Sequence, residues 1–252
     1  MTARTALVTG GGGGIGAAIC RRLAEAGHRV AVADLAFERA RHVAAEIDGG
    51  AVELDVTDPA SVAGAVTGAA EALGPIEICV SCAGWDELRP FLDTDEAFQA
   101  KVIEINLAGP MRVTRAVLPA MVERSFGRIV NILRRRRVRL VARVGVLRSQ
   151  GRSHRGHQGP SLVSSPRHGI SANTVCPGPT DTPLLDAITE ASADAERVIA
   201  GMTKAVPMRR LAQPDHVAPA VVFLASHGAG FITGQTLSVS GGLTMHDRSL
   251  WM

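Results

Sequence analysis

The chain has 252 residues, with 27 Lys and Arg against 24 Asp and Glu, a formal net charge of +3. That length fits one α/β domain with a large core, and no apolar run reaches the roughly 18 residues needed to span a bilayer. Four cysteines, Cys20, Cys79, Cys82 and Cys176, are too few and too scattered for a disulfide framework, so a reducing, cytoplasmic setting is expected.

The apolar run Thr5–Thr9 reads as a strand and Ile15–Ala26 as a helix. Between them lies Thr9-Gly10-Gly11-Gly12-Gly13-Gly14-Ile15-Gly16. A glycine run can be a mere flexible turn. Between a strand and a helix, however, it lets backbone amides approach a pyrophosphate whose charge the helix N-terminus favours. Arg29–Ala33 reads as the next strand, with Asp34 and Leu35 at its end. Asp34 lies near the roughly 20-residue spacing expected for an acid that bonds adenine ribose hydroxyls. It would repel a 2′-phosphate, and no basic residue follows before Arg39, so NAD is expected rather than NADP. The competing role for Asp34 is to cap the helix expected over Ala36–Ile47.

Ala51–Asp55, Ile76–Ser81, Arg128–Ile132, Ser171–Val175 and Thr236–Val239 complete a set of seven strands. Helices are expected over Pro59–Leu73, Ala97–Arg124, Leu184–Ala205 and Asp215–Ala225, with Asp58-Pro59 as a capped start. Near-continuous apolar strands alternating with helices predict a doubly wound α/β fold around a mostly parallel sheet. Cys79 and Cys82 stand three apart on extended chain and face opposite ways, so neither a metal pair nor a redox motif is expected. Arg209 and Arg210 read either as a solvated helix end or as contacts for CoA phosphates.

Leu133 to His168 breaks the pattern. It holds ten arginines and no Asp, Glu or Lys, so the rest of the chain has 17 basic against 24 acidic residues. Two parallel strands flank the stretch and require a crossover, yet 133–168 shows neither helical period nor strand alternation.

In combination these motifs resemble the short-chain dehydrogenase/reductase family. TGGGGGIG at 9–16 resembles its TGxxxGIG signature, Asp55-Val56 its adenine-side pair, and Cys82-Ala83-Gly84 its NNAG turn, with Ser81 and Cys82 in place of the asparagines. Asn106 in INLAG resembles an asparagine of the active-site tetrad. Pro177-Gly178, with Thr180, resembles the motif beside the nicotinamide. The resemblance covers 1–132 and 169–247. It implies a Rossmann-type single domain over 1–252, a nicotinamide cofactor, a secondary alcohol or ketone as substrate, and a homo-oligomer. Ala83-Gly84-Trp85, 176–182 and 230–245 are similar to a branch that oxidises a ring alcohol on an acyl-CoA. A 3-oxoacyl thioester reductase is the alternative.

The resemblance also implies a catalytic Ser, a Tyr, and a Lys four residues after the Tyr, to polarise the substrate oxygen and carry its proton. The chain contains no tyrosine at all. His154 and His157 are the nearest substitute bases by type, and arginine does not give up a proton at accessible pH. Val144–Gly159 can be encoded so that dropping one base gives SAYSGAKGGVIAATK, with Tyr and Lys four apart. A shifted reading frame is therefore expected, restored near Arg167-His168. The chain as written is expected to be an impaired enzyme. A non-catalytic dinucleotide binder that presents the arginines to a polyanion is a different reading, against which stands the absence of stacking aromatics in the stretch. No metal, membrane or nucleic-acid partner is expected.

Overall fold

The computed structural model describes residues 3–87, 90–133, 166–190 and 194–244. Seven strands form one sheet: β1 (Thr5–Thr9), β2 (Arg29–Asp34), β3 (Gly50–Glu53), β4 (Ile76–Ser81), β5 (Gly127–Ile132), β6 (Ile170–Pro177) and β7 (Thr236–Val239). The order is β3-β2-β1-β4-β5-β6-β7, and every neighbouring pair is parallel.

The helices are α1 (Gly14–Glu25), α2 (Phe37–Glu46), α3 (Pro59–Leu73), α4 (Glu96–Ile103), α5 (Gly109–Glu123), α6 (Pro183–Glu190), α7 (Ala195–Ala205) and α8 (Pro214–Ala225). Both faces of the sheet are covered, which explains why its strands are apolar throughout. Ala6, Val8, Val30, Val32 and Val80 pack with α1, α2 and α8 on one face. Leu7, Ala31, Cys79 and Ile129 pack with α3 and α5 on the other. Cys79 and Cys82 do turn to opposite faces, Cys79 into the second cluster and Cys82 against the first.

Three expected elements are corrected. Helix Ala97–Arg124 is two helices joined by a π-type turn at Glu104–Ala108. One inserted residue in a turn leaves the apolar spacing nearly intact, so periodicity reads straight through it. Leu184–Ala205 is two helices, the second capped by Asp194, whose carboxylate accepts the Arg197 amide at 3.0 Å. The third strand stops at Glu53, because Asp55 turns the chain by accepting both the Thr57 amide (2.8 Å) and the Thr57 hydroxyl (2.7 Å). Of the irregular stretch expected over 133–168, Pro166–His168 forms a single 3₁₀ turn leading into β6. His154, His157 and the other residues of 134–165 lie outside the described residues, as does Met245.

Candidate functional site: a cleft at the strand-order switch

Strand order reverses between β1 and β4, and a cleft of about 840 Å³ opens there at the strands' C-terminal ends. Such switch points leave a crevice because consecutive helices depart to opposite faces.

Gly10, Gly14, Ile15 and Gly16 line its base. Gly10 has φ +66, and a Cβ there would sit 2.7 Å from Ala83 Cα, so the loop can lie against the β4 turn only without a side chain. A Cβ on Gly16 would fall 2.0 Å from the Gly10 carbonyl oxygen. The loop is tied to β2 twice: the Gly11 amide donates to the Ala33 carbonyl (3.0 Å) and the Gly12 amide to Asp34 Oδ2 (2.9 Å). Asp34 and Leu35 line the same cleft, and Asp34 Oδ1 also accepts the Ala36 amide at 2.9 Å. Asp34 thus braces both the glycine loop and the approach to α2.

Asp55 and Val56, beyond β3, form the adjoining wall, and Cys82, Ala83 and Gly84, beyond β4, form the floor. Thr9 is off the lining. It is buried, and its hydroxyl accepts the Cys82 (3.2 Å) and Ala83 (3.1 Å) amides, holding the floor to β1. Asn106 is off the lining as well. Its side chain pairs with the Trp85 backbone in both senses, accepting the amide at 3.1 Å and donating to the carbonyl at 2.9 Å, and it donates to Val102 O at 2.9 Å. It therefore fixes the chain after the turn, from a π-type turn of a sort often found at functional sites.

Pro177, Gly178 and Thr180 also sit behind the lining. The Gly178 amide donates to Val239 O (2.9 Å), and the Thr180 hydroxyl donates to Gly178 O (3.0 Å). Thr182 lines the cleft in their stead, with Pro183, Leu184 and Ala187 of α6. Its signal was in the sequence: a threonine directly before a proline marks a helix start.

Other lining residues escaped sequence reasoning. Arg39, one turn into α2, reaches the cleft beside Asp34, close enough that a Cβ on Gly12 would lie 2.8 Å from Arg39 Cβ. Trp85 lines the opposite side, its ring edge-to-face with Phe98 (5.4 Å) and carrying Lys101 Nζ 3.9 Å from its centroid. Lys101, Glu104 and Ile105 present one face of α4 and its turn. Arg209 donates to Lys204 O at 2.8 Å and Arg210 contacts His216, both at the surface.

Ile132, the last residue of β5, completes the lining, so the cleft reaches the point where the chain enters the arginine-rich stretch. Asp34, Leu35, Asp55 and Val56 offer polar and apolar surface at one end. The glycine loop and α1 N-terminus offer amides in the middle, and Thr182, its hydroxyl bonded to Thr180 O (3.3 Å) and to the Leu185 amide (3.3 Å), closes the far end. These residues suit a dinucleotide: diol, aromatic base and pyrophosphate each find a chemically matched partner.

Residues 4–134 match the family model described as short chain dehydrogenase, and 161–244 match one described as enoyl-(acyl carrier protein) reductase. The chain is 36% identical to an acetoacetyl-CoA reductase of Allochromatium vinosum, over 97% of this chain and 100% of that one. It is 37% identical to the oxidoreductase UcpA of Escherichia coli, over 98% and 97%. Among solved structures, an actinorhodin polyketide ketoreductase with NADPH superposes with a TM-score of 0.83 at 31% identity, covering 97% of this chain and 98% of that one.

Proposed function

The chain belongs to the short-chain dehydrogenase family of oxidoreductases, and from that premise we propose that its lineage interconverts a secondary alcohol and a ketone on an acyl thioester, with NAD as cofactor. The observation that carries the cofactor reading is the cleft at the strand-order switch, with Asp34 at one end and the glycine loop at its base. When bound, the nicotinamide supplies a hydride acceptor or donor. The loop amides and α1 N-terminus hold the pyrophosphate, and the Asp34 carboxylate takes the ribose hydroxyls, a charge that disfavours a 2′-phosphate. Thr9, Asn106, Pro177, Gly178 and Thr180 act from behind, positioning the turns that face the ligand.

For the substrate, the acetoacetyl-CoA reductase relative supports an acyl-CoA. The resemblance of Ala83-Gly84-Trp85 and 176–182 supports, more finely, a 2-hydroxycyclohexanecarboxyl-CoA-like alcohol. A second reading, a 3-oxoacyl thioester reductase running on NADPH, draws on the same relative and on Arg39 beside Asp34. Turnover of a frame-corrected protein with each cofactor separates the two.

Proton transfer is the step this sequence does not supply. The chain has no tyrosine, and losing a positioned acid–base group costs about 10²- to 10⁴-fold in rate. We attribute the loss to a shifted reading frame. The two family models match 4–134 and 161–244, leaving 135–160 of the arginine-rich stretch unmatched by either, and β5 and β6 stay in register across it. Sequencing the DNA across codons 130–170 tests this, and an unambiguous in-frame read of the arginines ends it. For the cofactor site, the test is quenching of Trp85 fluorescence by NADH and by NADPH. No response at millimolar NADH would overturn the dinucleotide reading.

A further inference from the structure

Two walls of the cleft meet at one arginine. Arg112, on α5, donates through Nη1 to the Val56 carbonyl at 3.3 Å and pairs through Nη2 with the Glu104 carboxylate. Val56 belongs to the wall after β3 and Glu104 to the adjoining π-type turn; both line the cleft. Gly109, one turn before Arg112, packs against Val56 so closely that a Cβ there would sit 2.9 Å from Val56 Cβ. Lys101 stands one turn before Glu104 and could pair with it, but its ammonium lies on the Trp85 ring instead. Glu104 is left to Arg112.

We propose that Arg112 is a positioning residue that sets the width of the adenosine end of the cleft, and so its affinity for the adenosine half of a dinucleotide. It does not touch the ligand. It holds the Val56 carbonyl to the turn that also carries Asn106, and through Asn106 to Trp85. A planar guanidinium reaches two acceptors in fixed geometry, which the single ammonium of a lysine does not reproduce. The proposal rests on the dinucleotide reading above.

The test uses the full chain and two probes, ADP-ribose for the adenosine half and reduced nicotinamide mononucleotide for the other. Arg112→Met is expected to weaken ADP-ribose and NADH roughly tenfold, near the lower limit for losing one charge-assisted contact, with the mononucleotide unchanged. Arg112→Lys should recover part of the loss by restoring the pair with Glu104. Glu104→Gln, which cuts the ion pair and spares the Val56 bond, gives a milder version of the same split should Arg112→Met fold poorly. Equal weakening of both probes, or unchanged ADP-ribose affinity, overturns the proposal alone. A parent protein that binds neither probe overturns it together with the dinucleotide reading.

Discussion

The Gly12 amide and the Asp34 carboxylate are hydrogen-bonded at 2.9 Å beside the cleft. One acid thus shapes the glycine loop and stays on the surface offered to a ribose. Its two duties separate by substitution. Asp34→Asn keeps an oxygen for the loop and removes the charge, so it should weaken NADH a few-fold and improve NADPH. Asp34→Ala removes both and should weaken NADH by roughly tenfold or more, the scale of a lost hydrogen bond to a charged group. Isothermal titration with each nucleotide checks the order, and a better fit of NADH to Asp34→Ala than to Asp34→Asn would contradict it.

Gly16→Ala places a methyl group 2.0 Å from the Gly10 carbonyl oxygen. The α1 N-terminus and the loop must move apart, at a cost of about 1–3 kcal/mol typical of overpacking. A lower melting temperature with loss of NADH binding is expected. Gly13→Ala is the control for the melting temperature alone, since a Cβ there meets no protein atom within 4 Å but Gly13 itself lines the cleft.

Arg128 is buried at the start of β5. Its guanidinium donates to Gly127 O (2.9 Å), Gly169 O (3.1 Å) and Ser226 O (3.4 Å), and it lies 4.3 Å over the Phe126 ring. It joins the entry to β6 and the end of α8 to the central sheet. Arg128→Met leaves those carbonyls short of donors and should cost about 2–4 kcal/mol in urea unfolding, while sparing the distant cleft. Unchanged stability would show that water replaces it fully.

His28 Nδ1 accepts the Arg4 amide at 3.3 Å, so the folded chain favours the neutral ring. Burial first, and the Arg4 charge second, hold its pKa below the ordinary 6.5. On acidification the unfolded chain therefore takes the proton first. The contribution of His28 to stability is complete above pH 6.5 and is lost as pH falls through the lower folded value. Melting curves over that range should flatten in His28→Asn relative to the parent, and parallel curves would refute the assignment.

How far the sequence disclosed this arrangement follows from what each signal measures. Strands buried on both faces, such as Val30–Ala33 and Ile78–Val80, announce themselves by composition, and the glycine loop by its context. Tertiary accidents do not. The π-type turn at Glu104–Ala108 shifts Asn106 without disturbing the apolar spacing around it. Arg39 follows Asp34 by only five residues, but its place on the cleft depends on the turn between β2 and α2 and not on any pattern in the sequence. Thr180 and Thr182 are two buried threonines in one short loop, and only Thr182, directly before the start of α6 at Pro183, reaches the cleft lining.

Thiol chemistry gives a further check. Burial pushes the Cys79 thiol up to about 12 and raises that of Cys20 still more, whereas Cys82 is half-buried and lines the cleft. Thiolates are the reactive form, so Cys82 should be the first of the four to react with a disulfide reagent at pH 8, and NADH should slow it. The same rate in Cys82→Ser would remove that residue from consideration.

Gly127 through Ile132 pair with Ile170 through Val175 without a slip, and the Leu133 amide donates to Val175 O at 2.9 Å. Both banks of the arginine-rich stretch are thus moored to the sheet by backbone bonds in register, with the Arg128 side chain adding its bond to Gly169 O. Whatever polypeptide is spliced between Leu133 and Pro166 inherits that berth, so a corrected cassette can be exchanged there without re-engineering its surroundings.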